Sequence, residues 1–325
     1  MTRRSLFLCF FVVAGLVTTA SPAEAQRFFF DRWYEVRGQT TLDVRTVRGK
    51  IDVTAGDPGR VDIRGTVTLR VGFDVPPNAA ELARQVTGNP PVEYSAGVVR
   101  LRPPADSDET RALTLSYEVR VPPDTRVISE SDSGAITIRE VGGAVSVKTQ
   151  SASISISRLG GNADVTTGSG AVTADGVKGA TSITTSSSAI TARGLAGSLR
   201  ARTNSGAVDA ALTGPGDVDV QTSSSGITLT GVTGGLVTKT ESGRTKVSGA
   251  PGAAWDISAG SGSLEIRFDR RVGVTLDATS GSSSVQVQGG TVDGAVSKGR
   301  AAGAIAGGGP TVRLYSRSGS IRLSV

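Results

Sequence analysis

The sequence predicts an all-β chain folded as a parallel β-solenoid, a single-stranded β-helix expected to be right-handed, with a strand-rich region capping its N-terminal end. Three observations carry this prediction. A Ser-(Gly/Ala/Ser)-x-(Ile/Val) anchor recurs at a nearly constant interval. Apolar and polar residues alternate after each anchor, the period of a strand with one buried face. Glycine supplies 43 of 325 residues while aromatics make up 4%. That composition suits narrow layers of small aliphatic side chains better than a wide globular core.

The anchor is seen most plainly in Ser133-Gly134-Ala135-Ile136, Ser169-Gly170-Ala171-Val172 and Ser205-Gly206-Ala207-Val208. Its second position falls at residues 134, 152, 170, 188, 206, 225, 243, 262, 283 and 319. The first four steps are 18 residues each, and the later ones are 19, 18, 19, 21 and 36. Each unit holds two short strands. Ile136-Thr137-Ile138 follows the anchor, a turn carries Gly142-Gly143, and Val145-Ser146-Val147 completes the unit. Glycine supplies the positive φ that tight corners need. Two strands and two turns make one coil. Like strands of successive coils stack in parallel about 4.8 Å apart, so ten coils build a rod of roughly 50 Å. Each coil touches only its neighbours, and stability is nearly a sum over coils and interfaces.

A threonine column accompanies the repeat. Thr149, Thr167, Thr185, Thr203, Thr222 and Thr240 each stand three residues before an anchor position and share the inward parity of their strands. Their hydroxyls are expected to bond the equivalent hydroxyl of the next coil. Thr46 stands three before Gly49, so an isolated copy of the unit is expected near the N-terminus.

The chain divides into three parts. Residues 1–25 read as a signal peptide: Arg3 and Arg4, an apolar run from Leu6 to Val17, then Ala23-Glu24-Ala25 as a cleavage site. The run is too short for a stable bilayer anchor. Cys9 lies inside it without the small residues of a lipoprotein site. Export to the periplasm, the cell surface or the medium follows as the expectation. Residues 26–128 form the capping region, with alternating segments at 50–54, 60–71, 98–102 and 112–121. A short helix is expected to open at Asn78-Ala79-Ala80-Glu81 and reach about Val86. Residues 129–325 form the solenoid of about ten coils, with residues 288–310, rich in glycine, expected as a loop inserted before the last coil.

Several chemistries are excluded. The chain has no histidine, which removes Ser-His-Asp triads and zinc hydrolase motifs. Its one cysteine falls in the expected signal peptide, so no disulfide or thiolate site is expected in the exported chain. The net charge of +6 is spread without a Lys/Arg cluster interleaved with aromatics, so no nucleic-acid partner is expected. The corners lack the carboxylates of calcium-binding repeats. Gly307-Gly308-Gly309 is followed by no Gly-Lys-Ser, so it is no phosphate loop. No cofactor and no metal is expected.

Three features are candidates for function. The outward column of the first strands reads Thr137, Ser155, Thr173, Thr191, Asp209, Thr228, Lys246 and Glu265. It is either a flat hydroxyl array able to meet a polysaccharide or ice, or simply a solvated β-surface, and the latter is favoured. Asp217 and Asp219, with Asp209 a coil away, are the carboxylates a β-helix glycosidase would need, two acids about 5–10 Å apart. The third feature is the aromatic cluster Phe28 to Phe30, Trp33 and Tyr34, read as a lead-in packed on the first strands or as an interaction patch. No residue is assigned a catalytic, cofactor-binding or metal-binding role.

Four segments together resemble the bacterial "putative adhesin" family of β-strand repeat proteins, a domain of unknown function. They are Gly49-Lys50-Ile51-Asp52-Val53, Val121-Pro122-Pro123-Asp124, the iterated anchors, and the final Ser318-Gly319-Ser320-Ile321-Arg322-Leu323. The resemblance covers about residues 36–325. It implies the solenoid fold and adhesion, and it brings no catalytic residues. The expected function is thus a non-enzymatic, exported cell-envelope module for binding or scaffolding, with a cell-surface glycan or an envelope protein as partner. Two other readings stand beside it: a polysaccharide-active enzyme using Asp209, Asp217 or Asp219, and a structural protein that stacks end to end.

Overall fold

In the computed structural model, residues 26–70, 76–104, 110–269 and 272–325 are described; the expected signal peptide lies outside them. Alternating strands pair into two long sheets of 14 and 15 strands. The first sheet collects the strands that follow each anchor, and the second those that precede the next. Pairing between coils is parallel and in register: Ile154 faces Ile136 on one side and Val172 on the other. Val165 likewise lies between Val147 and Ile183. The inward residues of both sheets meet in one continuous core of Ile, Val, Leu and Ala, and Ile138, Ile156, Val165 and Ile183 are wholly buried. This is the β-solenoid that the periodicity predicts.

At Gly170 the stacking distance leaves no room for a side chain, although Ala152 and Ser188 hold the same place in the coils on either side. A Cβ on Gly170 would sit 1.6 Å from the carbonyl oxygen of Ala152, its counterpart one coil earlier. The threonine column is buried as expected, but its bonds run elsewhere. Thr167, Thr203 and Thr240 each accept the anchor N–H three residues on, at 3.0, 3.0 and 3.1 Å. Thr149, Thr222 and Thr240 donate to a backbone carbonyl of the coil before, at 3.2–3.3 Å. Hydroxyl-to-hydroxyl bonding occurs between Thr46 and Ser131, at 3.1 Å. At these coils the column ties the anchor turn down, because the turn's N–H points inward, away from solvent.

The copy of the unit around Thr46 is a full member of the stack. Thr41–Thr46 pairs with Arg126–Ser131, and Ile51–Ala55 pairs with Ile136–Arg139. With it the described residues hold eleven coils. Residues 41–55, expected in the capping region, are thus the first coil. The cap proper is built around that coil. Leu113–Val121 lies parallel on Ile51–Ala55, and Arg60–Leu69 and Arg27–Glu35 follow antiparallel. On the second sheet, Val98–Leu101 and Val92–Ser95 cover the end.

The helix spans Ala79–Gly88 and follows Asn78, which makes no side-chain capping bond. It packs under the strands at 27–35 and 60–69. Arg102 binds Asp43 through Nη1 at 3.0 Å. Burial disfavours the charge on Asp43, but the Arg102 hydrogen bond and charge, helped by Arg45, outweigh it and hold its carboxyl below the usual range. Tyr117 donates to the Arg102 carbonyl at 2.9 Å, and burial pushes its phenol well up despite the nearby arginine.

At the C-terminal end the order of coils departs from the order of the chain. Trp255–Ala259 pairs with Thr311–Ser316, and the latter pairs in turn with Val274–Ser280. On the first sheet Ile321–Ser324 likewise separates Leu264–Phe268 from Val285–Gln288. The last coil in sequence is therefore inserted between its two predecessors. Residues 288–310 are also not the loop that their glycine content suggests. Val292–Ser297 and Arg300–Ile305 form a hairpin that pairs antiparallel with Val274–Thr279 and closes the second sheet. Alternation is weak there because the hairpin strands carry Gly294, Gly303 and several alanines, so no apolar face is written into them.

Candidate functional site

A long shallow groove of about 990 Å³ runs along the second sheet, where the chain turns into each of its strands. Its floor is one residue per coil: Ala144, Asn162, Ala180, Ser198, Asp217, Gly235 and Ala254. These positions form an unbroken ladder. Each floor carbonyl accepts an N–H of the coil before it, from Val127 to Ala144 at 3.0 Å through to Leu236 to Ala254 at 3.0 Å, with the intervening bonds at 2.8–2.9 Å. Small side chains keep the floor low over seven successive coils. The two longer ones fold back along the ladder. Asn162 Oδ1 accepts the Ala180 N–H at 2.9 Å, and Asp217 Oδ1 accepts the Gly235 N–H at 2.8 Å. The backbone beneath the groove is thus satisfied without a ligand.

The rim is the first outward column of the strands, including Ser146, Asp164, Ser182, Arg200, Asp219 and Val237. It alternates hydroxyls and charges with one exposed aliphatic, Val237. Asp219 is bound by Arg202 at 3.0 Å, with Arg200 at 3.7 Å, and accepts from Gln221 at 3.2 Å. Such a surface offers donors and acceptors of both signs along a straight line, which suits an extended polar chain lying parallel to the rod axis. It concentrates no single charge.

Of the three aspartates weighed as glycosidase acids, Asp217 and Asp219 line the same groove, whereas Asp209 is not brought to them. Asp209 projects from the first sheet, in register between Thr191 and Thr228. Asp217 and Asp219 lie on the second sheet, where one is taken up by a backbone N–H and the other by arginines. The hydroxyl column is real as geometry: Thr137, Ser155, Thr173 and Thr191 stand in exact register on the outer surface of the first sheet. Asp209, Thr228, Lys246 and Glu265 continue it, and Lys246 and Glu265 pair at 3.5 Å. The aromatic lead-in is a regular strand, Arg27–Glu35, with Phe30 buried and Phe29 and Trp33 exposed.

The groove was not among the sequence candidates. Its signal is nonetheless present: the residue just before each second strand is small or an Asn/Asp at the same 18- or 19-residue interval. Small turn residues read as structural punctuation unless their column is known to face outward.

Comparison with known proteins adds the following. The profile of the family described as Toastrack DUF4097 matches residues 114–324. No curated protein matches the chain. Two solved structures align with it: a "putative cell adhesion protein" from Clostridium sporogenes, 12% identical over 92% of this chain and 99% of that one with a TM-score of 0.22, and a "putative adhesin" from Bacteroides fragilis, 14% identical over 92% and 97% with a TM-score of 0.25. Among the described residues, no helix is long and apolar enough to cross a membrane.

Proposed function

The chain belongs to the Toastrack DUF4097 family, and from that premise we propose that it is a non-enzymatic, exported, adhesin-like module of the cell envelope that binds a linear polysaccharide along the second sheet. The observation that carries this reading is the seven-coil floor of small side chains. A compact ligand needs a concave pocket, whereas this surface is open at both ends and repeats with the coil. A linear polymer of hydroxyl-bearing units meets every coil in the same way, and each added coil contributes a similar increment. The arginine pairing of Asp219, the backbone bond of Asp217 and the place of Asp209 on the other sheet support binding over hydrolysis.

The test is a glycan array probed with the purified chain, followed by the Ala180→Trp variant. Ala180 is the third of the seven floor positions and its side chain is exposed, so an indole there raises the floor without entering the core. Binding to the glycans recognised by the unaltered chain is expected to fall about tenfold or more, the scale of one blocked contact patch, while the unfolding midpoint stays put. A chain that recognises no glycan, or a variant that binds as well as the original, refutes the proposal.

A further inference from the structure

We infer that the free edge of the first sheet, strand Arg27–Glu35, pairs with the same strand of a second copy and joins two rods end to end across a two-fold axis. This inference rests on the fold and not on the polysaccharide reading.

Arg27–Glu35 is the outermost strand of the 14-stranded sheet, nine residues long and paired on one side to Arg60–Leu69. On that side the even-numbered residues make the hydrogen bonds, as Leu69 N–H to Gln26 and Val36 N–H to Gly59 show. The N–H and C=O groups of Arg27, Phe29, Asp31, Trp33 and Glu35 therefore point to the open edge, a template for another strand. Their side chains share the outer surface, where Phe29 is 61% and Trp33 58% exposed.

The sequence of this edge is complementary to itself. In an antiparallel pair centred on Asp31, Arg27 meets Glu35 of the second copy, and Phe29 meets Trp33, each contact occurring twice. Every residue with edge-facing groups meets another of the same kind, as the hydrogen-bonding pattern demands. This is the register that pairs all nine residues. The charge pattern fits it. Asp31, which would face its own copy, is already neutralised by Arg64 at 2.9 Å. Arg27 and Glu35 carry no ion pair within their own chain among the described residues, and they are the two charges that such a dimer brings together. In the single chain Arg32 Nη1 donates to the Asp31 carbonyl at 3.0 Å, and on pairing the incoming Asp31 N–H takes that donor's place. The interface is isologous, so assembly stops at two, with the first sheets fused into one.

The test is sedimentation velocity of the purified chain from about 1 to about 500 µM, with the single variants Arg27→Glu and Glu35→Arg and the double variant that exchanges them. A monomer–dimer equilibrium with a dissociation constant on the order of 10–100 µM is expected, as befits a small interface. Each single variant sets like charges opposite each other at two sites and is expected to weaken the dimer about tenfold. The double variant restores both pairs and is expected to return within about threefold of the original. Both residues changed are exposed at the strand ends, so folding is not at stake. A chain that stays monomeric at the highest concentration, leaving the edge to a strand of another protein, overturns the inference. So does growth beyond the dimer, or association indifferent to the single reversals.

Discussion

Deletion of residues 311–325 is expected to release residues 272–310 from the rod as well. In a solenoid whose coils follow the chain, removing the last coil simply exposes the one before it. Here the last coil is wedged between its predecessors and makes every inter-coil pairing that holds 274–280 and 285–288 to the stack. It also contributes Val312, Leu314, Ile321 and Leu323, all essentially buried. At about 1.5–3 kcal/mol for each buried aliphatic side chain, the deletion forfeits roughly 6–12 kcal/mol of gross burial. That is comparable with the whole stability of a typical domain. Hydrogen exchange is the measurement: amides at 274–280 and 285–288 should lose protection in the truncated chain, while coils before residue 250 keep theirs. Protection that persists at 274–288 would mean that the coils stack in chain order.

Replacement of Trp255 by alanine is expected to cost about 3–5 kcal/mol, the range for deleting a large buried aromatic. Trp255 is 1% exposed, stacks edge-on against Phe268 at 5.9 Å and donates its indole N–H to the Gly234 carbonyl at 3.0 Å. Its neighbours in register are Leu236 and Val312, whose backbones are locked in the sheet and cannot collapse into the void. Trp255→Phe keeps much of the volume but strands the Gly234 acceptor and should cost about 1–3 kcal/mol. Urea unfolding followed by tryptophan-independent circular dichroism reads both. A loss below 1 kcal/mol for the alanine variant would show that the core at this coil is loosely filled.

The solenoid was legible because its cause is local. An anchor turn that needs a near-glycine, as at Gly170, and a hydroxyl three residues earlier to hold the turn, as at Thr167, recur whenever the chain rounds the same corner. The strand order at the C-terminus was illegible for the same reason. Ile266 can pair with Val287 or Leu323 equally well, since every coil presents the same pattern, and only the length and hairpin of the intervening segment decide. The hairpin at 292–305 was hidden because it pairs at a sheet end, where alanine and glycine serve as well as valine. The aspartates are a different case. Asp217 was read as a possible acid, yet its oxygen is the partner that the Gly235 N–H requires at a corner, a role that Asn162 fills at the equivalent place. Asp209 lies a few residues away in sequence and on the opposite sheet, because a two-strand coil sends successive strands to different faces.

The measurement that tests the central claim most directly is affinity against ligand length, using a size-graded series of a linear glycan recognised by the chain. Seven coils spaced about 4.8 Å apart offer a binding track of roughly 30 Å. The account predicts that affinity rises with each added unit until the oligomer spans that length and then levels off, and that Ala180→Trp lowers the plateau. Full affinity already reached by a mono- or disaccharide would contradict it, because that outcome belongs to a pocket and not to a groove that repeats with every coil.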